Sequence, residues 1–458
     1  MVVLAAAALA VGGLSLLWAS IPQFDPSGWL LWGRGLLGFG FRTTVYPSWK
    51  PLPGLMSAPL ALTGGAAPAL WLVIVRAAVV VLAVAVFRVA RRWGGTAGGL
   101  FALAGLAFVP RLVETAAWGD AEPLVAALVV GAVERHLAGR SRQALVLLGL
   151  ASLGRPEVWA LLALYAAWLA RREPPARRAV ALVVASVPIL WFGGDWIGSG
   201  DPFHGSVLAK LAVGPNGTPD SSVLVSAVLG YAVDAASPVW LGVALLALAP
   251  FARARRGALV LLAAVLIWVA AVVFQAAQGY PIEARFLIPA GVLVCVLAGA
   301  GLGALLGRIA PRPRRVVTAL AVAAVAVSAV AERPGLAGEI DRVDAYELGA
   351  GQLDRAVAAA DALGVLAHCH VTTWHPYQAR LAWDLDRSTT ATSLPRAVGV
   401  AFERPGVVDG RLLRFLDGQG DRVRVTRSRL PIPGPWTLLR LDSEPDGSGD
   451  VRCRASFR

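Results

Sequence analysis

The sequence predicts an α-helical membrane protein with roughly nine to eleven membrane helices, followed by a small α/β domain. Of its 458 residues, 57% are hydrophobic and 16% are charged, and the mean hydropathy of +0.64 is too high for a soluble domain of this size. Several apolar stretches approach or exceed ~18 residues, the length at which a helix crosses a bilayer. From about Glu332 onwards the composition changes. We therefore predict a membrane domain, 1–331, and a second domain, 332–458.

The first apolar segment, 2–20, is followed at once by an acidic residue in the sequence Pro22-Gln23-Phe24-Asp25-Pro26-Ser27-Gly28-Trp29. We predict a short helix over 27–37, with Ser27 or Asp25 as its N-cap. The Trp and Leu residues of this helix suit a position in the membrane interface. Asp25 would then lie near the membrane surface, and it has two interpretations. It is either a carboxylate that takes part in chemistry or only a helix cap.

Further apolar segments predict membrane helices separated by basic or proline-rich loops. The segment 144–170 differs from the others, because arginines flank both of its ends and Gly154-Arg155-Pro156-Glu157 interrupts its middle. We predict a hairpin of two short helices that enters and leaves the membrane on the same side. Its charged tip must then be buried in protein or line a wet cavity. A further helix leads back to Arg135, and the other spans are predicted over 67–89, 97–113, 179–197, 223–249, 258–277, 286–306 and 316–330.

Lysine and arginine are concentrated in alternate loops, for example in Arg253-Ala254-Arg255-Arg256 and in 308–315. Short cytoplasmic loops carry such an excess, so the bias places the N-terminus in the cytoplasm and Asp25 outside. After an odd number of crossings, 332–458 lies outside as well. There we predict a small extracytoplasmic α/β domain, with helices over 339–363 and 377–385 and strands over 365–371, 398–402, 423–425 and 436–441.

Short charged and proline-rich motifs follow one another along the membrane domain. In order, they are Asp25, Trp49-Lys50-Pro51-Leu52-Pro53, Arg76, Asp120 with Glu122-Pro123, Gly154-Arg155-Pro156-Glu157, and Glu283-Ala284-Arg285-Phe286-Leu287-Ile288-Pro289. This order resembles the GT-C superfamily of polytopic glycosyltransferases, and the resemblance covers most of residues 1–330. The first loop departs from the pattern, because many relatives carry an Asp-Glu pair where Asp25 is followed by Pro26.

The resemblance implies a GT-C-like fold and an inverting glycosyltransferase, similar to mannosyltransferases and arabinosyltransferases, with a polyprenyl-phosphate-sugar lipid as donor. The acceptor would be an extracytoplasmic glycan, lipid or protein of the cell envelope, with membrane lipids as neighbours and no nucleic acid as a partner. Asp25 would be the general base. A lipid phosphate is a good leaving group, so one carboxylate can suffice where glycosidases use two. The residues implied to bind the donor phosphate are Arg155, Arg285, Lys50 and Arg76.

Other polar residues of the outer loops are candidates for the acceptor side or for a second acid, namely Asp120, Glu122, Glu157, Glu283 and His204. Asp120 and Glu122 are also candidates, together with Asp25, for ligands of a divalent cation. Structural alternatives stay open for them. Asp120 suits a cap of the helix that follows Pro123. His204 follows Asp201-Pro202, which is typical of a turn.

Two of the candidate cations also have structural interpretations. Arg155 has a neighbouring partner for a salt bridge in Glu157, and Arg76 is able to snorkel to the outer surface. Two other functions are compatible with the same features. A lipid or sugar transporter or flippase is favoured by the broken helix and the intramembrane charges, although no inverted repeat is visible. A non-catalytic scaffold for envelope assembly would need Asp25 only as a cap.

Overall fold

The computed structural model describes residues 2–18, 20–45, 47–211, 221–236, 238–245, 255–362, 366, 371–373, 375–385, 399–403, 425–430, 432 and 434–443. Helices dominate this part of the chain, and the strands all lie after residue 370. The helices of the membrane domain are α1 (Val2–Leu14), α2 (Phe24–Arg34), α3 (Pro51–Ala61), α4 (Ala67–Leu106), α5 (Leu112–Trp118), α6 (Glu122–Leu137), α7 (Ser141–Gly154), α8 (Val158–Arg172), α9 (Arg177–Ser199), α10 (His204–Leu211), α11 (Ser221–Ala236), α12 (Pro238–Leu245), α13 (Arg255–Ala277), α14 (Ile288–Leu306) and α15 (Pro311–Ala331). They are followed by α16 (Arg333–Ala362) and α17 (Gln378–Asp384).

Five of the described helices are long and apolar enough to cross a membrane, and a sixth span results if α5 and α6 are one span bent by 114°. The five are Gly64–Leu106, Pro174–Ser199, Arg256–Ala277, Ala284–Leu306 and Pro311–Ala331. The prediction of nine to eleven counted shorter apolar segments as well. The first of these, Val2–Leu17, is too short to meet the length criterion, and the segment 144–170 is divided between two helices. The chain is a multi-pass membrane protein.

The predicted spans 67–89 and 97–113 form one helical segment, α4, with a sharp reversal at Gly95, whose φ is 64°. In a straight helix, residues twelve apart are about 18 Å from one another. A Cβ placed on Gly99, however, would lie 2.8 Å from the ring of Phe87. The two arms of α4 therefore run back along each other. Only glycine adopts the conformation of residue 95 without strain, so this position sets the direction of the second arm.

The buried centre of the membrane domain is α14, whose most apolar window lies wholly inside the protein. It packs against α4 on both sides of the reversal at Gly95, through two pairs of glycines with the same four-residue spacing. A Cβ on Gly303 would collide with the backbone of Gly94, and one on Gly98 would collide with the carbonyl of Gly299. Small residues at this spacing let two membrane helices approach closely. This packing holds the C-terminal half of α14 against α4, and the residues just before the other end of α14 belong to the candidate site.

The predicted hairpin over 144–170 is confirmed as two helices, α7 and α8, joined by Arg155-Pro156-Glu157. The helix α7 ends where Arg155 takes an extended conformation, with φ −147° and ψ 128°. Pro156 follows directly, and helical φ and ψ values are unfavourable for a residue that precedes proline. The tip is buried, with Arg155 only 6% exposed and Glu157 only 1%. The requirement that a charged tip be enclosed by protein is therefore met.

The second part of the chain forms a four-stranded sheet in the order β1-β2-β4-β3, built from β1 (Val371–Thr373), β2 (Gly399–Glu403), β3 (Val425–Leu430) and β4 (Thr437–Ser443). The strands β1 and β2 are parallel, and α17 lies between them in the chain, while β4 is antiparallel to β2 and β3. The predicted small α/β domain is thus confirmed in class. Of the strand predicted over 365–371, the structure describes only Leu366, which lies in a turn, and Val371, which begins β1.

The two parts of the chain meet at Glu332, between α15 and α16, but they share hydrophobic contacts. Trp118 of α5 packs against Tyr346 of α16, with ring centroids 6.0 Å apart. Phe24 and Leu31 of α2 lie in one apolar cluster with residues of α17. The division into 1–331 and 332–458 stays a proposal about folding units, while the contacts show that the second part covers α2 and α5.

Candidate functional site

Asp25 lies in the first turn of α2, which begins at Phe24 and not at Ser27. The N-cap is Gln23, and no side chain caps the helix, so the interpretation of Ser27 or Asp25 as the cap is wrong. The Ser27 hydroxyl donates instead to the carbonyl of Pro22, at 3.2 Å. Because the amides at a helix start carry partial positive charge, an ionised carboxylate in the first turn is favoured. This leaves the Asp25 oxygens free to meet other groups.

The helix α2 is buried in protein, which corrects the prediction that it lies in the membrane interface. Trp29, Leu30 and Trp32 are each only 1% exposed. They pack among α3, the start of α4 and α17. Alternating Trp and Leu residues are typical of an interfacial helix, but the same apolar residues suit a helix enclosed on all sides. The consequence is that Asp25 projects from a rigid element and not from a surface helix.

Lys50 and Arg285 both approach the carboxylate of Asp25. Lys50 stands just before Pro51 at the start of α3, and its ammonium donates to Asp25 Oδ2 at 3.4 Å. Arg285 lies in the short 3₁₀ turn before α14, and its Nη2 is 3.5 Å from the same oxygen. The Lys50 ammonium also lies 5.3 Å from the centroid of the Trp29 ring, within range of a cation–π contact.

Arg285 is the centre of a larger charge cluster, because its guanidinium also meets three other carboxylates. Nη1 lies 2.8 Å from Asp120 Oδ1, and Nε lies 3.7 Å from Glu122 Oε1. Nε also lies 2.8 Å from Glu283 Oε2. Asp120 lies between α5 and α6, and Glu122 is the first residue of α6. Asp120 does not cap α6, whose N-cap is Ala121. The cap interpretation of Asp120 is therefore wrong.

Arg155, from the tip of the hairpin, extends the cluster inwards. Its Nη2 forms an ion pair with Glu122, and its Nη1 lies 3.8 Å from Glu157 Oε1. The guanidinium also lies 4.0 Å from the centroid of the Phe286 ring. The salt bridge with Glu157 exists, but Glu122 is also a direct partner, so Arg155 joins the hairpin to the start of α6. Donor binding by Arg155 stays a prediction.

Exposure divides the cluster into two layers. In the outer layer the exposed fraction of the side chain is 20% for Asp25, 14% for Lys50, 13% for Arg285 and 42% for Glu283. In the inner layer it is 7% or less, for Asp120, Glu122, Arg155 and Glu157. The outer layer is therefore partly in contact with solvent. The inner layer is placed to hold the outer one in position.

Cations of both layers keep Asp25 ionised. Burial raises the pKa of the Asp25 carboxyl, but the charges of Lys50, Arg285 and Arg155 together outweigh it, so the pKa lies below its usual value. Burial and the two nearby arginines lower the pKa of the Lys50 ammonium, against the attraction of Asp25. At neutral pH the Asp25 side chain is therefore an ionised carboxylate, partly exposed and held between two cations.

The contacts of Arg76 and the start of α10 at His204 do not involve the residues of this cluster. Arg76 is buried inside the protein, so the interpretation that it snorkels to the surface is wrong. Its Nη1 donates to the Ser15 carbonyl at 2.9 Å, and its Nη2 donates to the Ala117 carbonyl at 3.1 Å. His204 begins α10 after a turn in which the Asp201 carboxylate accepts from the Phe203 amide at 2.9 Å. Their assigned roles in binding stay predictions.

Sequence reasoning overlooked several buried charged residues. Asp195 of α9 is 5% exposed and accepts a hydrogen bond from the Gly205 amide at 2.9 Å. A carboxylate inside a membrane span is itself a signal of a specific partner, and this signal was available. Glu114 of α5 and its partners on α16 were also missed, because no sequence pattern joins residues so far apart.

The carboxylates do not fit the alternative of a divalent cation. In the part of the chain that the structure describes, no group of three or more His, Cys, Asp or Glu side chains is placed to hold a metal ion. Asp25, Asp120 and Glu122 instead surround the guanidinium of Arg285. This cation occupies the place between the oxygens that a metal ion would need.

Comparisons with known proteins agree on the fold. No protein-family model matches the sequence, and no curated protein matches it. Among solved structures, ArnT from Cupriavidus metallidurans bound to undecaprenyl phosphate matches with a TM-score of 0.56 and 14% sequence identity, over 96% of this chain and 97% of that one. The apo state of the same protein matches with a TM-score of 0.54 and 15% identity, over the same 96% and 97%. The chain therefore has the GT-C fold, as its sequence motifs predicted.

Proposed function

We propose that this protein is a membrane glycosyltransferase that moves a sugar from a polyprenyl-phosphate donor to an extracytoplasmic acceptor, with inversion at the anomeric carbon. The observation that carries the proposal is the ionised, partly exposed carboxylate of Asp25, which lies 3.4 Å from Lys50 and 3.5 Å from Arg285. A base and two cations at one accessible point are what transfer from a lipid phosphate requires. The undecaprenyl phosphate bound to ArnT, which shares the fold, supports a lipid phosphate as the donor.

In the proposed reaction Asp25 accepts the proton of the acceptor hydroxyl. The hydroxyl oxygen forms a bond to the anomeric carbon from the face opposite the phosphate, while the bond between that carbon and the phosphate oxygen breaks. The lipid phosphate leaves with the electron pair, and Lys50 and Arg285 stabilise its charge. Because the leaving group needs charge stabilisation and not a proton, one carboxylate is enough, and inversion follows from a single displacement.

The charge balance of the cluster suggests how the phosphate enters. The two layers hold five carboxylates and only three cations, so the arginines are fully engaged before a donor binds. Glu283 is the most exposed partner of Arg285, at 42%. Exposed ion pairs contribute little stability, so a donor phosphate is able to replace Glu283 at low cost. Asp120, which is 1% exposed, stays as the inner partner.

Transfer itself is tested by mixing purified protein in detergent with a lipid extract of bacterial envelopes, which supplies the acceptor. The donors are polyprenyl phosphates that carry radiolabelled mannose or arabinose. Radiolabel that becomes attached to a new acceptor supports the proposal. Movement of donor across a vesicle bilayer without transfer would instead identify a flippase. Protein that binds no donor and transfers no sugar would favour a scaffold, and in both of these cases the proposed function is wrong.

The proposal requires Asp25 to face outwards, with the N-terminus in the cytoplasm and 332–458 outside. We expect alkaline phosphatase fused after residue 331 to be active and green fluorescent protein fused at the same point to be dark, because the former folds outside the cytoplasm and the latter inside. Fusions within the basic loop at residues 308–315 serve as the control and should give the reverse result. A fluorescent fusion after residue 331 would contradict the orientation.

A further inference from the structure

The short helix α5 connects the second part of the chain to the candidate site. It begins after Arg111, which has φ 67° and ψ 0° and is the one non-glycine with a positive φ among the described residues. Such a conformation is strained for a residue with a side chain, and it persists only where surrounding contacts hold it. The start of α5 must therefore be held from outside the helix.

The group that holds it is Glu339 of α16. Its Oε1 accepts a hydrogen bond from the Arg111 amide at 2.5 Å, and its Oε2 accepts one from the Glu114 amide at 3.0 Å. The first amides of a helix lack partners within the helix, and here a carboxylate distant in sequence satisfies two of them. Glu339 is only 6% exposed, so water does not easily replace it.

A second contact from α16 strengthens this junction. The guanidinium of Arg342 donates to Glu114 Oε2 through Nε at 3.0 Å and through Nη2 at 2.5 Å. Arg111 adds its own contact, with Nη1 3.0 Å from the same oxygen. The side chain of Glu114 is fully buried, so its negative charge needs a cationic partner, and both arginines contact it. Residues 339 and 342 lie one turn apart on α16, and both form hydrogen bonds with the start of α5.

The other end of α5 leads directly to the reacting groups. The carbonyl of Trp118 accepts a hydrogen bond from the Gln23 amide at 3.1 Å, and Gln23 is the N-cap of the helix that carries Asp25. After Gly119 the chain reaches Asp120, whose amide donates to the Thr115 carbonyl at 2.9 Å. A shift of α5 therefore moves both Asp120, which holds Arg285, and the start of α2.

We propose that Glu339 is a positioning residue for the transfer reaction. It fixes α5 from the second part of the chain, and through α5 it sets the place of Asp25 and of the Asp120–Arg285 pair. This inference rests on the proposed function for its effect on rate, but the mechanical link through α5 does not. In this proposal the positions of Asp25, Asp120 and Arg285 depend on the second part of the chain.

The mechanical link is tested by hydrogen–deuterium exchange on full-length protein in detergent. In Glu339→Ala we expect faster exchange in peptides covering 111–120 and also in peptides covering 20–30, because the Gln23 amide depends on the Trp118 carbonyl. Asp344→Ala, which removes an exposed carboxylate from the same helix, is the matched control and should leave both regions unchanged. Faster exchange confined to 111–116 would overturn the link. Because hydrogen–deuterium exchange requires no transfer activity, this experiment tests the link through α5 independently of the proposed function.

The effect on rate is measured as kcat per mole of donor-binding protein. We expect Glu339→Ala to lower kcat on the order of tenfold, since small displacements of reacting groups are costly, while donor affinity changes less than twofold. Glu339→Gln keeps one acceptor oxygen and should recover part of the rate. In an Asp120→Asn background the same Glu339→Ala change should cost less, because the pair that it positions is already weakened. A variant that unfolds more easily but keeps kcat would show that Glu339 is only structural.

Discussion

Replacing Asp25 by asparagine is expected to lower the rate of sugar transfer by a factor on the order of 10² or more, as for the loss of a general base. Asparagine keeps the size of the side chain but accepts no proton. The fold should be kept, because Asp25 caps nothing, and Arg285 retains its contacts with Asp120 and Glu283. The measurement is the initial rate at saturating donor, together with donor binding by native mass spectrometry.

A matched control for this change is Asp354→Asn, which removes a half-exposed carboxylate paired with Arg380 in the second part of the chain. It should transfer sugar at the parent rate. If Asp25→Asn also transfers at the parent rate, Asp25 is not the base. Asp120 and Glu122 would be the next candidates, although their burial makes contact with an acceptor difficult.

The same charges set the pH dependence of the reaction. Because the pKa of Asp25 lies below its usual value, the carboxylate stays ionised as the pH falls from 7 to 5, and Asp25 should cause no loss of rate in that range. The contribution of Asp25 to the free energy of unfolding changes with pH in the same direction as the rate. A depressed pKa stabilises the folded state above the unfolded pKa of about 4, and this stabilisation is lost as the pH falls through the folded value. A rate that halves with an apparent pKa near 6 would argue against Asp25 as the base.

Local patterns were enough to predict the hairpin of α7 and α8. Basic residues on both flanks and Gly154-Arg155-Pro156-Glu157 in the middle admit few other structures, since charge and proline cannot remain in a lipid-exposed helix. The same reasoning predicted the helix over 377–385 and the strands over 398–402 and 436–441 to within two residues of α17, β2 and β4. The helix predicted over 339–363 begins at residue 333 instead, and the strand predicted over 423–425 overlaps β3 only at residue 425. The positions of these helices and strands are determined mainly by nearby residues, so they could be predicted from the sequence alone.

The geometry of the charge cluster could not be predicted in the same way. Asp25 and Arg285 come from opposite ends of the membrane domain, and their contact depends on how α2 and α14 pack. The burial of α2 was missed, because Trp29 and Trp32 suit an interface as well as a protein core. Glu339 and α5 were missed because the strained conformation of Arg111 leaves no trace in the sequence.

Replacing Arg285 by glutamine is expected to have the largest effect on stability. Among the described residues its guanidinium is the ion-pair partner of Asp120, and the side chain of Asp120 is 1% exposed. Removing one member of a buried pair leaves an uncompensated charge, at a cost of about 3–5 kcal/mol. We expect a much lower thermal unfolding temperature and a poor yield in detergent. Glu283→Gln is the control and should cost only about 0–1 kcal/mol, because Glu283 is 42% exposed.

The double variant Arg285→Gln/Asp120→Asn separates the two roles of Arg285. Asparagine at position 120 removes the stranded charge, so the double variant should recover about 1–3 kcal/mol relative to the sum of the single changes. Recovery of stability should not bring back donor binding, because the outer layer still lacks the cation that meets the lipid phosphate. A stable double variant that binds donor as the parent does would show that Arg285 serves only the fold. In that case the donor phosphate would bind through Lys50 alone. The proposal that the phosphate replaces Glu283 as a partner of Arg285 would be wrong.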